Sequence, residues 1–105
     1  MKTLRLGSNK FTTLPKPIIK LTSLTELHLS GNQFVTLPDS IAALTALENL
    51  DLECNELVTL PDTIAALTAL KDLNLEGNPL AEPQSSAVKA WLAALRAGGC
   101  DLEID

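Results

Sequence analysis

Residues 27–38 read LHLSGNQFVTLP. The same line stands at residues 4–15 as LRLGSNKFTTLP, at 50–61 as LDLECNELVTLP and, cut short, at 73–80 as LNLEGNPL. Each copy begins 23 residues after the one before, with no slippage. A strict period of this length signals a solenoid, in which each unit buries its apolar face only against its neighbours. The recurring pairs Leu4/Leu6, Leu27/Leu29, Leu50/Leu52 and Leu73/Leu75 alternate with other residues. Period two puts the leucines on one face of a short strand and the intervening residues on the other. Asn9, Asn32, Asn55 and Asn78 follow three residues after the second leucine. They are expected to stack in a turn and bond the backbone groups freed where the strand bends away.

The second half of each unit runs Pro15-Ile18-Leu21, Pro38-Ile41-Leu44 and Pro61-Ile64-Leu67. Spacing of three suits a short helical or 3₁₀ turn, and proline is tolerated in its first positions. Lys16-Pro17 interrupts the first of these, so that turn is expected to be less regular. The period stops at Glu82. Pro83, Gln84, Ser85 and Ser86 form a helix start, with Ser85 or Ser86 as N-cap. Val88, Trp91, Leu92 and Leu95 make one apolar stripe, and Gly98-Gly99 end the helix. Residues 100–104 alternate again as a last strand. Helix and strand together form the terminal cap that a solenoid needs, with Trp91 as a core plug.

Composition agrees with a small aliphatic core: 105 residues, 46% hydrophobic but only 3% aromatic. No run approaches the ~18 apolar residues needed to span a bilayer. Residues 1–10 lack the apolar core of a signal peptide. An intracellular, cytoplasmic protein is expected, with Cys54 and Cys100 reduced, unpaired and serving as small apolar fillers. The net charge of −5 hides an asymmetry. Residues 1–23 carry Lys2, Arg5, Lys10, Lys16 and Lys20 and no acid, whereas residues 24–105 hold all 13 acids. The acidic body disfavours nucleic acid as a partner, because phosphates repel it.

The four copies of L-x-L-x-x-N-x-(F/L), with L-P-x-x-I-x-x-L between them, resemble the leucine-rich repeat family. The 23-residue unit is similar to the type found in Ras-associated scaffold proteins, plant intracellular relatives, Roco-type GTPases and many bacterial proteins. The resemblance implies an α/β solenoid with a curved parallel sheet on the concave side and short helical or 3₁₀ turns on the convex side. It implies a single domain over residues 1–105, with repeats starting at 1, 24, 47 and 70 and a cap from about 81. It further implies protein binding through the concave face, with no catalysis.

With the leucines inward, three columns of side chains line that face. The central one is Arg5, His28, Asp51, Asn74 and Glu103. The column before it is Thr3, Glu26, Asn49, Asp72 and Asp101, and the one after is Gly7, Ser30, Glu53, Glu76 and Asp105. The expected partner-binding residues are Arg5, Glu26, His28, Asn49, Asp51, Glu53, Asp72, Asn74, Glu76 and Glu103, and the expected partner is a basic protein or peptide. No aromatic side chain stands in these columns to supply a hot spot.

Other chemistry finds little to work with. The single histidine, His28, could serve only Ser30 or Cys54 as nucleophile, and Cys54 should lie roughly 10 Å away at ~3.3 Å per residue. That exceeds the ~3 Å contact a nucleophile and base require. No phosphate-binding glycine loop is present. Carboxylates on a flat ladder diverge, whereas a divalent cation wants them converging on a loop. No cofactor or metal is expected. The first repeat leaves Leu4, Leu6, Phe11, Leu14, Ile18 and Leu21 without a neighbour on one side. Three readings of that edge stand open: a piece of a longer solenoid, self-association through the edge strand into a homo-oligomer, or a solvated edge kept apart by its lysines.

Overall fold

The computed structural model describes residues 2–81 and 84–104. The break in the repeat at Glu82 and Pro83, and the last acid, Asp105, lie outside them. Five three-residue strands form one sheet: β1 (Thr3–Arg5), β2 (Glu26–His28), β3 (Asn49–Asp51), β4 (Asp72–Asn74) and β5 (Asp101–Glu103). Their order in the sheet is their order in the chain, and every pairing is parallel. The register is that of the sequence repeat: Leu4, Leu27, Leu50, Leu73 and Leu102 stand side by side. Beyond the strands the ladder continues one step, with the Leu29 N–H donating to Asp51 O at 2.8 Å and the Leu52 N–H to Asn74 O at 2.9 Å.

Proline sets the start of each outer turn. Pro38 and Pro61 are extended (φ −70° and −69°) and hand over to 3₁₀ turns at Asp39–Ala43 and Asp62–Ala66. Their carbonyls accept from the N–H groups of Ile41 and Ile64, both at 3.0 Å. The first repeat differs. Its Lys16-Pro17 pair does not break the turn but shifts it to a single α-helical turn, α1 (Lys16–Ile19). Pro17 sits where a helix has no acceptor for its N–H, so the ring costs no hydrogen bond. The C-terminal helix α2 (Ser86–Ala97) begins at Ser85, whose side chain accepts from the Val88 N–H. Gln84 does more than start this helix. Its amide donates to Val58 O at 3.1 Å and Ala81 O at 2.6 Å and accepts from the Leu60 N–H at 3.3 Å, clamping the preceding turn.

The core is a stack of identical slots. Leu27, Leu29, Phe34, Ile41, Leu44, Leu50, Leu52, Leu57, Ile64 and Leu67 are wholly excluded from water. Each such side chain contributes about 1.5–3 kcal/mol by burial. Trp91 closes the end of the stack, 4% exposed, its indole N–H donating to Leu67 O at 3.0 Å. At the other end Leu4, Leu6, Phe11 and Leu21 are only partly buried, since no described residue packs on their outer side. The asparagines tie neighbouring repeats together. Asn55 donates to Leu52 O in its own repeat and to Leu29 O in the previous one, both at 3.0 Å, and accepts from the Phe34 N–H at 3.3 Å. Asn32 and Asn78 repeat this set of bonds one repeat earlier and one later.

One position of the repeat carries no residue type common to its copies. Ser8, Gly31, Cys54 and Gly77 all have φ between 57° and 74°. The turn between strand and asparagine demands a left-handed residue, a conformation that costs a non-glycine residue ~1–2 kcal/mol. Cys54 is therefore no apolar filler: it is exposed at a tight turn. Cys100 does pack against the core, partly buried.

Two outcomes follow for stability, both measurable by urea unfolding. Asn55→Ala leaves the Phe34 N–H without its partner and removes one of two amide donors from each of Leu29 O and Leu52 O, which keep Asn32 and Asn78; it should cost ~1–3 kcal/mol, well above the cost of the same change at the exposed Asn9. Gly77→Ala would put a methyl group 3.1 Å from Cys54 Sγ at a positive φ and should cost ~1–2 kcal/mol.

Candidate functional site

The pleat that buries the leucines turns the intervening residues outward, and parallel pairing brings them into rows. Arg5, His28, Asp51, Asn74 and Glu103 are register partners across all five strands. Thr3, Glu26, Asn49, Asp72 and Asp101 form the row before it. Glu53 and Glu76 follow just past the strands, where their carbonyls accept from the Gly31 and Cys54 N–H groups at 3.0 and 2.9 Å. The ten residues named from the sequence thus lie on one sheet face. A shallow hollow of about 290 Å³ sits over β2–β5, lined by His28, Asn49, Asp51, Asp72, Leu73, Asn74, Asp101 and Glu103.

Several of these side chains are held in place. Asp51 Oδ1 accepts from the Glu53 N–H at 3.1 Å, and Asn74 Oδ1 from the Glu76 N–H at 3.0 Å. Such bonds to the backbone two residues on fix a side chain at the end of a strand. Asn74 also donates to Glu53 Oε2 at 3.4 Å, and the Thr3 hydroxyl donates to Glu26 Oε2 at 2.9 Å. His28 Nδ1 lies 4.0 Å from Asp51 Oδ2, about three-quarters of each side chain being covered. At that distance the pair is a charge neighbour rather than a hydrogen bond. His28 Nε2 is enclosed and has no partner among the described residues. Among the described residues the imidazole's ion-pair neighbour is the Asp51 carboxylate, and its Nε2 is hydrogen-bonded to neither Ser30 nor Cys54.

The acid-rich end of the face is electrostatically crowded. Partial desolvation, and then the carboxylates of Glu76, Asp101 and Glu53, raise the Glu103 carboxyl above its ordinary 4.5, a hydrogen bond with Glu76 adding to the shift. On the same side burial, then Asp72 and Asp101, raise the Cys100 thiol above 9.0. That thiol stays protonated at neutral pH and is a poor nucleophile. Among the described residues no three His, Cys, Asp or Glu side chains converge as a metal site would require. No helix there is long and apolar enough to cross a membrane.

The model of the leucine-rich repeat family matches residues 22–80. The chain belongs to the leucine-rich repeat family. A solved leucine-rich repeat protein of Leptospira interrogans superposes on the whole chain with a TM-score of 0.82 and 36% sequence identity, and the chain spans 25% of that protein's length. Comparison with curated proteins found no match. Leucine-rich repeat domains are generally protein–protein interaction modules, and the family and its fold are typically non-catalytic. In this leucine-rich repeat domain the outward rows lie on the concave side of the solenoid and the helical turns on the convex side.

The crowding at Glu103 fixes the sign of one pH effect. A carboxyl whose folded-state value is raised binds its proton more tightly in the folded protein. Stability is then highest below the ordinary value and falls as pH rises through the interval from 4.5 to the raised value. Glu103→Gln should raise the melting temperature at pH 7, and the difference from the parent should vanish near pH 4. Melting curves by circular dichroism at the two pH values check this.

Proposed function

We propose that this leucine-rich repeat domain is a non-catalytic docking module that takes a basic protein or peptide on its concave face. One observation carries the reading: Asp51, Glu53, Asp72, Glu76, Asp101 and Glu103 share one face over β3–β5, with no cation among them. Carboxylates cost energy when set side by side, and Glu76, Asp101 and Glu53 add to the desolvation that raises Glu103. A cationic partner relieves that repulsion and is steered toward the face before contact. The hollow between the rows is shallow and lacks aromatic side chains, so charge rather than an apolar anchor supplies the selectivity. Asn49 and Asn74 add hydrogen-bonding groups between the carboxylates. His28 and Glu26 bound the surface toward β1.

The test is capture from a lysate of the host cell on the immobilised chain. Proteins retained by the parent should be lost when Asp51, Glu53 and Glu76 are all changed to Lys, and kept when Lys16 and Lys20 on the convex side are changed to Glu. Retention unaffected by the concave triple change would move the binding surface elsewhere. The captured set should also elute with salt, since pairs exposed to water are screened with a Debye length of about 8 Å at 0.15 M.

A further inference from the structure

The concave face is not uniformly acidic; its charges are ordered. β1 contributes one cation, Arg5, and no acid. β2 contributes His28 and Glu26, the latter already accepting from the Thr3 hydroxyl. From β3 onward every step adds two carboxylates: Asp51 and Glu53, Asp72 and Glu76, Asp101 and Glu103. We infer that the segment docked here is bipolar, an extended peptide crossing the strands with its cations over β3–β5 and a carboxylate over Arg5 on β1. The inference rests on the docking role of the concave face and adds the partner's charge order to it.

Distance makes the two poles separable. Five strands at ~4.8 Å put Arg5 about 19 Å from Glu103 along the central row. That is more than twice the ~8 Å Debye length at physiological salt, so neither pole cancels the other in solution. An extended peptide advances ~3.3 Å per residue and turns alternate side chains to the same face. Cations at positions i and i+2 then lie about 7 Å apart, over β5 and the gap between β4 and β3. A carboxylate at i+6 lies about 20 Å from the first cation, over Arg5. The span of the sheet and the pitch of the peptide agree to within ~1 Å. A basic segment without that acid would meet Arg5 with like charge, a repulsion that selects between partners.

The experiment uses the 105-residue chain and labelled nonapeptides read by fluorescence anisotropy at low salt. The matched probe has Lys at i and i+2 and Asp at i+6, with Gly and Ser elsewhere. Two controls place Asp at i+3 in the same composition, or Lys at i+6. The matched probe should bind about threefold more tightly than the shifted one, the size expected for one exposed pair. Arg5→Glu should weaken the matched probe and reverse its ranking against the probe with Lys at i+6. Arg5 is exposed, so the variant should keep the parent's melting curve. Equal binding of all three probes, unmoved by Arg5→Glu, would overturn the charge order and leave the docking surface standing. Binding of none of them would remove both.

Discussion

Everything in this protein hangs on a side-chain amide shared between two repeats. Asn55 donates to carbonyls of its own repeat and of the one before, and takes an N–H from the one before as well. A single residue thereby bonds three backbone groups at the bend after the strand, and each of the two carbonyls is shared with the asparagine of an adjoining repeat, Leu29 O with Asn32 and Leu52 O with Asn78. The bonds are short and directional, so they tolerate no slip between repeats. One inserted residue between Asn32 and Asn55 would shift the strand register and the asparagine contacts together. The unbroken 23-residue interval is the sequence trace of that constraint.

The leucines answer a weaker demand. Burial is non-directional, and the slots they fill need only an aliphatic chain of the right volume. Phe34 and Leu57 occupy equivalent positions, both fully buried. Register is therefore a matter of polar bonds, and stability a matter of apolar area. The ends of the stack show the division. Asn9 keeps its bonds to Leu6 O and Gly7 O although exposed, while Leu4 and Leu6 beside it are only partly covered. At the opposite end the indole of Trp91 meets both demands at once, covering apolar surface and donating to a carbonyl of the last complete repeat.

Most of this architecture was legible because it repeats. Strands, asparagine turns, capping helix and last strand all announce themselves by period or by cap residues. So did the alignment of the ten candidate residues, since period two and a fixed interval leave no other arrangement. Three features escaped because no residue type recurs in every copy to mark them. The left-handed position is marked only by Gly31 and Gly77; Ser8 and Cys54 in the other copies hide it. The α-turn at Lys16–Ile19 arises where a proline that looked like a breaker occupies a position needing no donor. Gln84 stands in a helix-start sequence, yet its amide reaches back 26 residues to Val58 O, a contact no pattern encodes. The crowding at Glu103 likewise needed the face assembled before its neighbours could be counted.

The same division decides how freely the concave face can vary. Residues between the leucines touch neither core nor asparagine ladder, so packing places no demand on Arg5 or Glu103, and the cost of a charge there is set by its surroundings, as at Glu103. Asp51 and Asn74 are different. Each accepts from the N–H two residues on, at the point where the chain leaves the strand. At those two positions a short side chain with an acceptor oxygen, Asp or Asn, makes that bond; Arg5, His28 and Glu103 stand at the equivalent places on β1, β2 and β5. The choice left open is between a charged acceptor and a neutral one. At β3 the chain takes the charged form, beside His28; at β4 it takes the neutral form, within reach of Glu53. A second carboxylate at position 74 would add to the cluster that already presses on Glu103. Asp51 and Asn74 thus meet two requirements together: an acceptor for the turn, and a charge density that the sheet can hold.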